Sequence, residues 1–296
     1  MVCRQRPRRS GGSGRRRAPL NYRHHFHAGN FADLLKHALT LQVLERLMAD
    51  PGSLAILDTH AGAGLYDLEG EHARRSGEAA QGVVRLMADP SAPAEFNALK
   101  RAVEGQNPAG GVRFYPGSPV LIAARLRPGD HYTGCELRPD DVATLTELVR
   151  PWPGARARLE DGYAALAGWT ARGRRLALID PPFERGDEYA RIAASSRAAL
   201  AANPATVLAI WTPLKDLETF DSFLGRLEAI DGLTGLSVQA RLKPLDDPLR
   251  MNGCALVIVG PPALLDDLEP ACASVAGWVV SALGGPHGVA RVERVG

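Results

Sequence analysis

Leu54-Ala55-Ile56-Leu57-Asp58-Thr59-His60-Ala61-Gly62-Ala63-Gly64 reads as a short apolar strand running into a glycine-containing turn. In open α/β sheets that combination makes the crevice where a nucleotide sits, because glycine lets the backbone approach the ligand. The G-x-G-x-x-G spacing of dinucleotide binders is absent, so the turn alone does not name a ligand. Three further short strands downstream also end in polar residues. His131-Tyr132-Thr133-Gly134-Cys135-Glu136 closes on a carboxylate that can take both hydroxyls of a ribose or stand as a solvated acid. Arg158-Leu159-Glu160-Asp161-Gly162-Tyr163 closes on an acid-glycine turn that can receive an adenine edge.

The fourth strand, Leu176-Ala177-Leu178-Ile179, runs straight into Asp180-Pro181-Pro182-Phe183. Proline fixes φ and removes a donor, so two in a row make a stiff turn that can aim the Pro181 carbonyl at a substrate. An amine conjugated to a ring is a poor nucleophile, because its lone pair is delocalised. A catalyst must hold its hydrogens with acceptors, and Asp180 with the Pro181 carbonyl offers two. Phe183 adds a face for a flat base. The plainer reading is a strand that simply ends at a Pro-Pro loop.

The order decides between them. A glycine turn, then Glu136, then Asp161-Gly162, then Asp180-Pro181-Pro182-Phe183, each after an apolar strand, resembles the doubly wound, Rossmann-like class I methyltransferases. These depend on S-adenosylmethionine, and the resemblance is to the branch that acts on exocyclic amino groups.

A closer resemblance rests on Tyr22-Arg23-His24-His25-Phe26-His27-Ala28-Gly29-Asn30-Phe31-Ala32-Asp33-Leu34-Leu35-Lys36-His37, on Leu57 to Gly64, on Tyr115-Pro116-Gly117-Ser118-Pro119, and on Asp161-Gly162 and Asp180-Pro181-Pro182. It spans roughly residues 20 to 290 and is to the bacterial 23S ribosomal RNA adenine-N6 methyltransferases. It implies that His37, His60, Ser118, Glu136, Asp161, Gly162 and Asp180 contact the cofactor. It further implies that Asp180 is catalytic and that Tyr22, Pro181 and Phe183 meet the substrate nucleotide. Phe183 departs from the family's usual tyrosine, which keeps the ring face and loses any phenol hydrogen bond. The Asp-Pro-Pro-Phe form also resembles guanine-N2 methyltransferases, and it is the N-terminal His-Ala-Gly-Asn block that favours adenine. A protein-glutamine methyltransferase and a non-catalytic RNA-binding module on a borrowed fold are the remaining alternatives.

Composition agrees with a soluble, cytoplasmic enzyme. The 296 residues are 45% hydrophobic and 23% charged, enough for one large core or a core plus a subdomain. No apolar run approaches the length of a membrane span. Cys3, Cys135, Cys254 and Cys272 form no C-x-x-C pair and read as reduced thiols. His24 and His27 have tolerable zinc spacing, but the expectation is a metal-free site, because a sulfonium already carries the leaving group's charge. A monomer is the default expectation.

Seven arginines between Arg4 and Arg17 crowd residues 1–19 among Gly, Ser and Pro, which predicts a disordered cationic tail. It either holds RNA phosphates through counterion release or is an extension from an upstream start codon, the latter preferred because the family's motif begins near Leu20. Helical spacing covers Asn30 to Met48. Residues 66–112 exceed what one crossover needs and predict a small helical insertion over the mouth of the site. After Asp180 the expected order is a helix over Asp187–Ala202, a strand over Thr206–Trp211, a helix over Asp216–Ile230, and a closing strand pair, Leu236–Leu242 with Cys254–Val259. The loop joining that pair, Lys243 to Gly253, either touches RNA or is a plain turn.

Overall fold

A computed structural model describes residues 28–70, 77–245 and 251–296. The arginine-rich tail, Tyr22, His24, His25 and His27 lie outside the described residues. The first described helix is Phe31–Ala49, one residue from its predicted limits, with Asn30 as its N-cap accepting from the amides of Ala32 and Asp33. Every residue from Ala32 to Leu44 is buried, so this is a core helix rather than an amphipathic one. It carries Asp33, Lys36, His37 and Thr40 into the interior, where each polar group needs a partner.

Ten strands are described: β1 (Leu54–Asp58), β2 (Leu65–Asp67), β3 (Phe114–Pro116), β4 (His131–Glu136), β5 (Ala155–Leu159), β6 (Arg174–Ile179), β7 (Thr206–Leu214), β8 (Gly235–Arg241), β9 (Gly253–Val259) and β10 (Val289–Val295). Eight form one sheet in the order β5-β4-β1-β6-β7-β9-β8-β10. The first five run parallel, and β9, β8 and β10 are each antiparallel to their neighbours. From β1 the chain winds outward through β4 and β5, then returns to β6 and winds the other way. β1 and β6 therefore flank the topological switch point, beyond whose carboxyl ends such sheets bind ligands. Helices cover both faces. Phe31–Ala49 and Pro262–Leu283 pack on one, and Gly162–Ala167, Glu188–Ala202 and Leu217–Glu228 on the other.

β2 and β3 pair outside the main sheet. Between them lie the helices Glu78–Gln81, Val83–Ala88 and Asn97–Gln106 and a 3-10 turn, Ala94–Phe96. Tyr115 to Pro119 forms the end of β3 and the start of the helix Ser118–Ala123.

The expectation that β8 and β9 close the chain is corrected, because the helix Pro262–Leu283 and β10 follow them. Pro261, Pro262 and Pro270 hide that helix, since a proline inside a helix removes a hydrogen bond and reads as a break. Burial of Leu265, Leu268, Cys272, Val275 and Val279 outweighs the loss. β10 is an edge strand bearing Arg291, Glu293 and Arg294, charges that guard an edge and dilute the apolar alternation.

Candidate active site

The crevice begins where β1 stops. The Thr59 amide donates to the Leu178 carbonyl of β6 (2.9 Å) and the Ala61 amide to the Cys135 carbonyl of β4 (2.9 Å), so the turn is tied to both neighbouring strands. Gly62 has φ +61°, in the left-handed region that favours glycine, and its amide donates to Glu136 Oε2 at 3.2 Å. Glu136 Oε1 accepts from the amides of Leu137 (2.7 Å) and Arg138 (3.0 Å), which fixes the carboxylate beyond the end of β4. A Cβ on Gly162 would overlap the Thr59 carbonyl, so only glycine lets the β5 turn lie this close to the β1 turn.

Asp161 caps the helix Gly162–Ala167 through the amides of Tyr163 and Ala164, and Arg191 donates to its Oδ2 at 2.6 Å. Burial works against this charge, yet Arg191 holds the carboxyl below its usual range. Arg191 also lies 4.3 Å over the Tyr163 ring, whose hydroxyl donates to Glu188. His60 meets the same ring edge-on at 4.9 Å, and its Nδ1 shares a 2.8 Å hydrogen bond with the Thr59 hydroxyl. Burial pulls the His60 imidazole down to about 4, so at neutral pH it is uncharged.

Asp58, the last residue of β1, is fully buried. Its Oδ2 accepts from the Ser118 hydroxyl (2.6 Å) and the Tyr132 hydroxyl (3.0 Å), while its buried Oδ1 has no partner among the described residues. Burial pushes its carboxyl up to about 6, against the two hydroxyls that lower it. A buried carboxylate oxygen without a donor is unusual and indicates a missing cationic or N–H ligand. The amino group of S-adenosylmethionine has that chemistry, so the site fits the cofactor. His37 is also buried, with its Nδ1 2.7 Å from the Tyr115 hydroxyl.

Asp180 is different. Lys36 Nζ lies 2.5 Å from its Oδ2 and 2.8 Å from Asp33 Oδ1, making a carboxylate–ammonium–carboxylate chain. Burial alone would lower the Lys36 ammonium, but Asp180 and Asp33 hold it well above its ordinary value. Asp33 Oδ2 in turn accepts from the Gly29 amide (2.9 Å). The Asp180 side chain is 17% exposed against 4% for Lys36, and it opens into a cavity of about 660 Å³ whose lining includes Pro181, Pro182 and Phe183.

Phe183 has φ +50°, the sole positive value among the described non-glycine residues. A bulky side chain in that region is strained, and such outliers gather at functional sites. The ring is held between Tyr189 (centroids 5.0 Å apart) and Trp211 (5.8 Å).

The structure thus gathers His60, Ser118, Glu136, Asp161 and Gly162 around the β1 turn, and Asp180, Pro181 and Phe183 around the cavity. His37 sits on the buried helix next in sequence to Lys36, and Tyr22 is outside the described residues. Sequence reasoning gave no role to Asp58, Lys36 or Arg191. Asp58 carried a signal, as the acid that ends the first strand. Among the described residues no cluster of three or more His, Cys, Asp or Glu side chains could hold a metal, and no helix is long and apolar enough to cross a membrane.

Fold and site together define an S-adenosylmethionine-dependent methyltransferase with a doubly wound sheet. The family described as ribosomal RNA large subunit methyltransferase D, RlmJ, matches residues 51–295, and the chain belongs to it. It is 33% identical over 268 residues to ribosomal RNA large subunit methyltransferase J of Escherichia coli K12, covering 89% of this chain and 94% of that one. The protein of the same name from Haemophilus influenzae Rd is 30% identical over 252 residues, covering 83% and 89%. Among solved structures, protein LPL1258 of Legionella pneumophila superposes with a TM-score of 0.83 at 26% identity, over 91% of this chain and 98% of that one.

Proposed function

We propose that the chain transfers a methyl group from S-adenosylmethionine to N6 of an adenine in 23S ribosomal RNA, acting as a monomer in the cytoplasm. The carrying observation is the cavity itself. Asp180, a rigid Pro181-Pro182 turn and a strained aromatic residue share one space beside the switch-point crevice. The bacterial relatives named for methylating large-subunit ribosomal RNA support the choice of substrate.

When bound, S-adenosylmethionine supplies a methyl group activated by its sulfonium. Asp58 Oδ1 is the group to meet its ammonium, Glu136 its ribose hydroxyls and Asp161-Gly162 its adenine edge. His60, Ser118 and His37 shape the methionine end, Ser118 through its bond to Asp58.

The acceptor base must leave its stack, at a cost of a few kcal/mol. Stacking on Phe183 returns about 1–3 kcal/mol without reading sequence. Lys36 occupies Asp180 Oδ2, so Oδ1 is the oxygen left for one amine hydrogen, and the Pro181 carbonyl takes the other. Holding both hydrogens localises the nitrogen lone pair and fixes its direction of attack, and proximity supplies much of the acceleration. Glu78 and Gln81, from the segment 66–112, line the same cavity, which supports that segment as a cover over the acceptor.

Nucleoside mass spectrometry of large-subunit ribosomal RNA from cells with and without the gene tests this reading. Loss of N6-methyladenosine is expected. Loss of N2-methylguanosine in its place would transfer the activity to the other base, and no loss of either would overturn it.

A further inference from the structure

The charged groups that line the acceptor cavity fall into a buried set and an exposed set. Asp33 and Lys36, joined by the half-buried Asp180, form the buried set. The exposed set comes from the far side of the sheet beyond β6: Lys215 follows β7, Lys243 follows β8, and His287 precedes β10. All three side chains are exposed, and among the described residues neither lysine has a carboxylate partner.

An exposed lysine is ordinarily just a solvated surface residue. Here three loops far apart in sequence bring cationic or N–H donors to one cavity, with the apolar Leu242, Met251 and Leu283 also in its lining. Ranked by exposure, Asp33 and Lys36 are buried, Asp180, Leu242, Met251 and Leu283 are half-buried and the three donors are exposed, a series that suits the amine of a base, its ring and sugar, and a phosphate. The cavity is also larger than a single base requires.

We infer that Lys215, Lys243 and His287 form an anion subsite that holds the phosphodiester next to the extruded nucleotide. The inference rests on the reading of the acceptor as RNA. It gives the strands beyond β6 a role, that of adding a phosphate grip to the amine grip. A base anchored at both ends presents its amino group in one orientation, whatever the neighbouring sequence.

The test is equilibrium binding of a 23S ribosomal RNA transcript to protein saturated with S-adenosylhomocysteine, across a salt series. Replacing Lys215→Gln and Lys243→Gln together should weaken binding about tenfold at low salt and flatten the log–log salt slope by about 0.7–0.9 per lysine removed. The pair Lys215→Arg with Lys243→Arg should keep the wild-type slope. So should Arg172→Gln, which removes an exposed charge near the opposite, N-terminal end of β6. Affinity for S-adenosylhomocysteine and the unfolding temperature should stay at wild-type values in every variant. A glutamine pair with unchanged slope and affinity would overturn the subsite, as would an equal fall in Arg172→Gln. No turnover is needed, so a lost subsite with N6-methyladenosine still formed leaves the reaction reading intact. Wild-type protein with no salt-dependent affinity for the transcript would remove both.

Discussion

The carboxyl ends of β1 and β6 lie side by side in the sheet, and an aspartate stands at each, yet the two acids live in opposite surroundings. Asp58 is fully buried, its partners are the neutral hydroxyls of Ser118 and Tyr132, and burial pushes its carboxyl up to about 6. Asp180 is partly open, its partner is the Lys36 ammonium, and it lines a cavity. The difference shows that neighbours, more than residue type or strand position, assign the work. A carboxylate among neutral donors still seeks a cation, whereas one already paired with an ammonium can take a neutral amine without requiring a second positive charge.

The sharpest way to break this contrast is Asp180→Asn. Lys36 would draw the amide oxygen toward itself and turn the amide N–H2 into the cavity, where it meets the substrate's own N–H2. Methyl transfer should fall by about 10²- to 10³-fold, on the scale of removing an aligned polar group from a transition state. Affinity for S-adenosylmethionine should stay within a few fold, because the cofactor end is anchored at β1. Turnover at the wild-type rate in single-turnover assays would remove Asp180 from the reaction.

Much of this contrast was readable before any coordinates. Strand-ending acids announce themselves where an apolar run stops at them, so β1 and β6 and their polar ends are legible in the sequence, whereas β5, Ala-Arg-Ala-Arg-Leu, is largely exposed and only its end at Leu159 and the acid-glycine turn after it are legible. Lys36 is legible only as a residue in a familiar block, since nothing local says that its helix is buried all round and crosses the sheet above Asp180. Arg191 is hidden for the same reason: it reads as an ordinary charge on a helix until the fold brings that helix against Asp161. The antiparallel half is the least legible. The cavity-lining residues beside it, Lys215 after β7, Lys243 and His287, carry no motif and gain meaning only from three loops converging.

Asp58→Asn attacks the other acid. The amide oxygen can keep both hydroxyls, so the fold should persist while the attraction for the cofactor's ammonium is lost. Affinity for S-adenosylmethionine should drop about 10- to 100-fold at pH 7.5, since hydrogen bonds to charged groups contribute about 1.5–3 kcal/mol. The pH dependence is diagnostic. Wild-type affinity should weaken as pH falls through about 6, where Asp58 takes up a proton, and the variant should lack that step.

Stability carries a second signature of the same acid. A carboxyl raised to about 6 stabilises the fold below its ordinary value near 3.8, and that contribution is lost as pH rises to 6. His60, lowered from 6.5 to about 4, acts in the opposite sense: its contribution is present above 6.5 and is lost as pH falls toward 4. The two offset each other between about 4 and 6. Without Asp58 the His60 effect stands alone, so acidification from pH 6.5 to 4 should lower the unfolding temperature of Asp58→Asn more than that of wild type. Parallel melting profiles would show that Asp58 does not titrate in this window.

The smallest effect belongs to Phe183, and it sharpens the comparison because the residue serves only the β6 end. Its left-handed backbone costs about 1–2 kcal/mol for a side chain of this kind, which the rigid Pro181-Pro182 turn and the packing of Tyr189 and Trp211 against the ring hold in place. If that strain serves to present a ring face to the base, what matters is the face and not the substituent on it. Phe183→Tyr should then keep RNA turnover within about threefold. Phe183→Ala should lose about tenfold, toward the lower end of the 1–3 kcal/mol that base stacking supplies, because Trp211 also lines the cavity. Cofactor affinity should not move in either variant, in contrast to Asp58→Asn. Equal turnover by the tyrosine and alanine variants would take stacking out of the mechanism and leave the strained backbone as a device for aiming the Pro181 carbonyl alone.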